Sequence, residues 1–194
     1  MSDRGFCRTV RSDVYRITGR GSWRDVAVQL AIGETYAYIF WMRACRQLSI
    51  AGPWAVPALL VARIVLRRLR YRMGINLPYS TKVGAGLLIG HAGGIVVNAA
   101  SVIGRNCNLS HNVTIGATKG HRAGVPTIGD NVYIGPGAVV VGRIRIGDDV
   151  AVGANSVVLD DVANGVTVAG APARVVSEKG SQAWVNRKVD ADSP

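Results

Sequence analysis

The chain is poor in aromatics, in cysteine and, over half its length, in acid. Phe, Trp and Tyr make up 6% of its 194 residues, which excludes a core built around large rings and leaves small and β-branched side chains to fill it. Three cysteines, Cys7, Cys45 and Cys107, give neither an even-numbered disulfide framework nor a CxxC spacing. A reducing, cytoplasmic setting fits them better than secretion. The Arg-rich first thirty residues hold no unbroken apolar run with a cleavage site, so no signal peptide is expected. The most apolar stretch, 53–66, is interrupted by Arg63 and is shorter than the roughly 20 residues that span a bilayer. Peripheral contact at the inner face of a membrane stays open.

Carboxylate is the scarcest group. No Asp or Glu occurs between Glu34 and Asp130, a span that holds eleven bases. Residues 1–75 carry 13 Arg against 4 acids, a net of +9; residues 76–194 carry 10 bases against 8 acids, a net of +2. The total of +11 predicts an anionic partner without naming it.

What the chain does have is apolar content and glycine. Apolar residues at 48% exclude a disordered chain. The 24 glycines are about 12% of the total, against roughly 7% in ordinary globular proteins.

Residues 1–20 show no clear period. Ser22 followed by Asp25 reads as a helix start; the helical pattern runs to about Leu30, pauses at Gly33 and resumes from Tyr36 to Cys45, until Gly52-Pro53 breaks it. A third helix is expected over 57–73, with Leu60, Ile64 and Leu66 apolar and Arg63, Arg67, Arg68, Arg70 and Arg72 largely elsewhere on the wheel. Such a basic amphipathic helix packs on its neighbours with solvated arginines, or meets an anionic membrane or lipid-linked substrate.

Near residue 77 the period changes to six. Ile128, Ile134, Val140, Ile146, Val152 and Val158 are evenly spaced, as are Leu77, Val83 and Ile89, and Val97, Ile103, Leu109 and Ile115. Four residues after each aliphatic comes a smaller group: Ser101, Cys107, Val113, Val132, Ala138, Val150, Ser156. This fits neither a helix nor a simple strand. It fits a β-solenoid whose hexads form flat faces, three to a coil, with stacked aliphatics inside and glycine at tight corners. The organisation is therefore a helical basic leader (1–75), a left-handed parallel β-helix (76–176) and a polar tail (177–194). Cys107 reads as a small core residue.

Two irregularities break the period. Ile89 to Val97 is eight residues, a bulge of two around 93–96; Ile115 to Ile128 is thirteen, so a basic loop of about 117–127 leaves the coil. Irregularities in a solenoid are where function collects. His91 and His111 are each the third residue of a hexad and 20 apart, one coil of 18 plus the bulge, so they occupy equivalent outward positions roughly 5 Å apart on neighbouring coils. His121 sits in the loop. Three histidines suggest a metal, but His111 and His121 are separated by ten residues and a loop, and no acid is near; no metal is expected. Ser/His/Asp catalysis fails for want of an Asp.

The run from Gly86 to Val176, GLLIGHAGGIVVNAASVIGRNCNLSHNVTIGATKGHRAGVPTIGDNVYIGPGAVVVG through AGAPARVV, resembles the hexapeptide acyltransferases. It is most similar to their serine acetyltransferase branch, and within it to the bacterial capsule and exopolysaccharide O-acetyltransferases. The resemblance covers about half the chain; SDVYRITG and FWMRACRQL resemble, more weakly, the helical leader of the polysaccharide-type members. It implies an acetyl-CoA-dependent O-acetyltransferase working as a homotrimer, with sites between neighbouring solenoids and the leader available to pair trimers into hexamers. His91 matches the catalytic histidine, a general base for the acceptor hydroxyl, with His111 beside it. Backbone N–H groups of Gly116, Ala117 and Thr118 are candidate oxyanion donors. Pro136 and Ala154 match small positions along the pantetheine arm, Arg174 a residue that meets CoA phosphates, and Lys119 could add to it.

The departures matter equally. Asn76 stands where an aspartate orients the histidine, Gly90 where an acid grips the serine amino group, and Val125 nearest the histidine that meets the serine carboxylate, so that His121 or Arg122 must substitute. These losses favour a sugar hydroxyl over free serine as acceptor, with serine the alternative in the same chemistry and a non-catalytic scaffold the alternative outside it. With no acid from 35 to 129, His91 must be oriented by Asn76, a backbone carbonyl, His111 or an acid reaching in from elsewhere, and positive surroundings are expected to keep it neutral. Nucleic acid is not an expected partner.

Overall fold

A computed structural model describes residues 3–120 and 122–189. Helices come first: α1 (Asp3–Thr18), α2 (Trp23–Ile32), α3 (Tyr36–Ser49) and, after a 3-10 turn at Pro53–Ala55, α4 (Val56–Met73). Ser22 caps α2 through a capping box with Asp25, as the Ser–Asp spacing implies. The α1 helix is the element that sequence periodicity misses. Its buried side mixes Val10 and Val14 with Ser12, Asp13 and Arg16, so no apolar stripe marks it.

From Ile75 onward the chain winds into a β-helix of short parallel strands. One face stacks Ile75–Asn76, Ile95–Val97, Thr114–Gly116, Val139–Val141 and Val157–Val158; the second stacks Lys82–Val83, Val102–Ile103, Thr127–Ile128 and Arg145–Ile146. The third stacks Leu88–Ile89, Asn108–Leu109, Tyr133–Ile134, Ala151–Val152 and Thr167–Gly170, and ends on the antiparallel Ala173–Ser177. Register reports each irregularity. Lys82 pairs with Val102, 18 plus the bulge of two; Val102 pairs with Thr127, 18 plus a loop of seven; Ala151 pairs with Thr167, two short of 18. That last step, Val158 to Val162 in place of a full hexad, brings Asp160 and Asp161 to the surface.

Both inward registers are buried, from Leu77, Ile89 and Ile115 to Val152, and from Ser101 and Cys107 to Ser156. The glycines after the aliphatics have a different cause from the one expected. A Cβ on Gly135 would stand 2.8 Å from the Val152 carbonyl oxygen and 2.9 Å from the Ala154 nitrogen, so the neighbouring coil's backbone excludes it. The left-handed corner falls two residues later, at Asn106, Asn131, Asp149 and Asn155, residues that tolerate positive φ. Three of these bond into a ladder: Asn106 donates to Asn131 at 3.0 Å, and Asn131 to Asp149 at 3.1 Å.

The helices are no loose appendage. Tyr38, Ile39, Met42 and Cys45 of α3 and Ala62 and Leu66 of α4 share one core with Ile75, Leu77 and Leu87 of the first coil. A buried ion pair, Asp13 to Arg43 at 2.9 Å, fastens α1 and α3 to that coil, since Asp13 also accepts from Leu87 N–H and Arg43 donates to the Val83 and Gly84 carbonyls. The polar tail docks too. Ser181, Val185 and Val189 are buried, Trp184 stacks on Tyr133, and Val189 exchanges hydrogen bonds with Asn106.

Candidate active site

The repeat dictates where the histidines stand. Ile89 pairs with Leu109, so His91 and His111, each two residues further on, occupy one corner on adjacent coils. Their ring centroids are 6.2 Å apart and the rings meet edge to face at 69°. Leu109 pairs with Ile134 and Ile134 with Val152, so Pro136 and Ala154 continue the same column at steps of about 4.8 Å. Sequence spacing alone places these four together.

The acid beside the site comes from the turn between α2 and α3. Glu34 lies 3.5 Å from His91 Nδ1 and accepts from the Ala92 N–H at 3.1 Å. Next to it, buried Thr35 donates to the Ile89 carbonyl at 2.6 Å, which clamps the turn onto the strand leading into His91. The imidazole expected among positive charges thus has a carboxylate at its side. Sequence reasoning passed over Glu34. Its one signal is that it closes the acid-free span, in a Gly-Glu-Thr turn between two helical patterns.

Asn76 does not orient His91 within the chain. It lines a cavity of about 570 Å³ beneath α4 with Tyr38, Arg63 and Tyr79, and among the described residues no hydrogen bond joins it to His91. His111 Nδ1 is buried without a hydrogen-bond partner among the described residues. Cys107 is inert by burial, which pushes its thiol up to about 12.

The extra loop is a small hairpin. Thr118 and Gly124 form an antiparallel bridge and exchange hydrogen bonds of 3.2 and 3.3 Å, while the Thr118 hydroxyl donates to the Arg122 carbonyl at 2.9 Å. The Thr118 N–H is therefore occupied, which removes it as an oxyanion donor. The Gly116 carbonyl accepts from the Gly142 N–H at 3.2 Å, fixing the hairpin base to the next coil. Ala117 and Lys119 are exposed. His121 lies outside the described residues. Arg122 reaches Asp160 at 3.3 Å and Asp161 at 3.9 Å, and Arg174, on the terminal antiparallel strand, reaches Asp160 at 3.9 Å. The two cations expected to meet anionic ligands thus converge on the acids of the short step. These exposed pairs hold weakly, at about 0–1 kcal/mol each.

Among the described residues no three His, Cys, Asp or Glu gather as metal ligands, and no helix is long and apolar enough to cross a membrane. A histidine beside a carboxylate on an open corner, with a column of small residues leading away, can take a proton from a hydroxyl and has room for an extended second substrate.

Residues 126–160 match the family described as bacterial transferase hexapeptide (six repeats). A serine acetyltransferase from Helicobacter pylori is 40% identical over 121 residues, 61% of this chain and 70% of that one. The chloroplastic serine acetyltransferase 1 of Arabidopsis thaliana is 39% identical over 139 residues, 70% of this chain but only 44% of the plant protein. The crystal structure of serine acetyltransferase from Brucella abortus in complex with coenzyme A superposes with a TM-score of 0.74 at 28% identity, covering 92% of this chain and 70% of that one.

Proposed function

We propose that this chain, which belongs to the serine acetyltransferase family of hexapeptide transferases, transfers the acetyl group of acetyl-CoA to the hydroxyl of serine. The observation that carries the reading is the Glu34 carboxylate at 3.5 Å from His91 Nδ1. A carboxylate there favours the tautomer protonated at Nδ1 and leaves Nε2 free to act as base. In the proposed reaction Nε2 takes the hydroxyl proton while the serine oxygen attacks the thioester carbonyl carbon. The new C–O bond forms, the tetrahedral oxyanion collapses, the C–S bond breaks, and the imidazolium gives its proton to the departing CoA thiolate, which restores neutral His91. Glu34 steadies that imidazolium between the two transfers.

On the acceptor, the sequence favours a sugar hydroxyl in a capsule or exopolysaccharide and keeps serine as the alternative, and the relatives support the alternative. The relatives and the structure compared above are serine acetyltransferases. Glu34 also answers the objection that Gly90 raises, because its carboxylate, 58% exposed beside His91, is where a substrate ammonium finds a partner. Arg122, released from Asp160 and Asp161, is the proposed partner of the substrate carboxylate. Along the donor, Pro136 and Ala154 are the proposed smooth track, Gly116 and Ala117, at the far end of the neighbouring face, further proposed contacts, and Lys119 and Arg174 the cations for phosphate. His91 is 71% exposed, so a second wall is needed to exclude water. A neighbouring copy in a homotrimer is the proposed wall.

Thiol release from acetyl-CoA, assayed with serine and with a panel of sugars, tests the reading. Serine is expected to support turnover. Turnover with a sugar and none with serine would restore the sugar acceptor; no use of acetyl-CoA with either would make the solenoid a scaffold.

A further inference from the structure

Helix α4 carries two apolar stripes on opposite sides. Ala62 and Leu66 are buried, with Leu59, Leu69 and Met73 packed beside them against the core. At about 100° per residue, Val56, Leu60, Ile64 and Tyr71 lie across the helix from these, with Val61 at their edge. All five are exposed, Leu60 at 53%, Val61 at 60% and Ile64 at 56%. Trp54, 77% exposed in the turn before the helix, extends the stripe.

The arginines complete the pattern. Arg67 and Arg68 sit within the outer face, Arg63 and Arg70 on one flank and Arg72 on the other. All five are exposed, and among the described residues none pairs with a carboxylate. No Asp or Glu lies between 35 and 129 to neutralise them. Along the Arg63, Arg67 and Arg70 flank runs the cavity of about 570 Å³, with Leu60, Ile64 and Pro78 in its lining, so guanidinium and apolar surface meet in one groove.

From this arrangement we infer that the outer face of α4 docks on an anionic phospholipid surface. The apolar half of the helix and Trp54 enter the headgroup boundary, and the arginine half holds lipid phosphates. An apolar stripe edged by cations, on a helix unable to span, is what an interfacial helix requires. A second copy docking by this same face across a two-fold axis is the poorer occupant, because facing helices would set five arginines against five.

The test is co-sedimentation of the full chain with vesicles of phosphatidylcholine alone and of phosphatidylcholine with phosphatidylglycerol at about 7:3. Binding to the anionic vesicles is expected to be at least about tenfold tighter and to weaken with salt. The variant R67Q/R68Q/R72Q should lose about fivefold per arginine, or about a hundredfold in all. Trp54 emission should shift to the blue on binding, a change absent in W54F. L60E/I64E should abolish binding; should it fold poorly, the glutamine variant, altered only at solvent-exposed positions, carries the test alone. Equal affinity for neutral vesicles, or none for anionic ones, would overturn the inference. So would a drop in oligomer mass in the glutamine variant without any vesicle binding, which would assign the face to a second copy.

Discussion

Glu34 and the Ala92 amide it accepts from are 58 residues apart. The histidine pair, by contrast, was legible in the sequence, because a repeat converts spacing directly into spatial register. The carboxylate arrives through the docking of a helix turn on the first coil, and no period in the sequence encodes docking. The substitution Glu34→Gln separates its two proposed roles. Glutamine keeps an acceptor for the Ala92 N–H and removes the charge. As an orienting partner, Glu34 should give a kcat loss of at least about tenfold in E34Q, against about a hundredfold or more in His91→Ala and a smaller loss in His111→Ala. As a mere ammonium partner it would raise the serine KM and leave kcat alone. Stability should change little, because the pair is exposed and such pairs are worth about 0–1 kcal/mol. Steady-state kinetics with a parallel urea melt distinguishes these outcomes, and wild-type kcat in E34Q would remove Glu34 as the orienting partner of His91.

Among elements, the solenoid was legible and α1 was not, for one reason. Each inward position of the solenoid repeats coil after coil, so Ile128, Ile134 and Ile146 report the same geometry independently. Helix α1 meets the protein through Asp13 and Arg16, polar side chains buried because Arg43 and Asn108 await them, with Ser12 buried beside them. The short step at Val158–Val162 was invisible for a related reason: a missing pair of residues looks like the end of a repeat. The glycine pattern was seen and given the wrong cause, and the right one is measurable. Gly135→Ala places a methyl 2.8 Å from the Val152 carbonyl oxygen, and overpacking of this kind costs about 1–3 kcal/mol. Gly90 occupies the equivalent place on an earlier coil, where an added Cβ meets nothing within 4 Å, so Gly90→Ala should stay within about 0.5 kcal/mol of wild type. Urea unfolding of both variants is the measurement, and equal losses would show that the corner conformation, not the neighbouring coil, selects glycine.

At the scale of the whole molecule, the sequence divides into leader, solenoid and tail, whereas the packing joins them. Helices α3 and α4 plug the open end of the β-helix with Tyr38, Met42 and Leu66, burying an end that would otherwise expose Leu77 and Leu87. The clamp on that plug is the buried pair of Asp13 and Arg43, 1% and 6% exposed. Burial pushes the Asp13 carboxyl up, and the Arg43 guanidinium and the Leu87 and Gly86 amides pull it back down. Removing one partner strands the other in a dry site, a loss of about 3–5 kcal/mol, so Arg43→Met should lower the urea midpoint sharply. Because the helices and the first coils share one core, wild type should lose helical and strand signals in a single transition, and R43M should move both together. The double variant Asp13→Leu/Arg43→Met should recover part of the loss, since it leaves no uncompensated charge. Circular dichroism across a urea series checks all three chains. If the helical signal of wild type melted well before the strands, the leader would be a separate domain resting on the solenoid, and the clamp would hold only α1 and α3 in place.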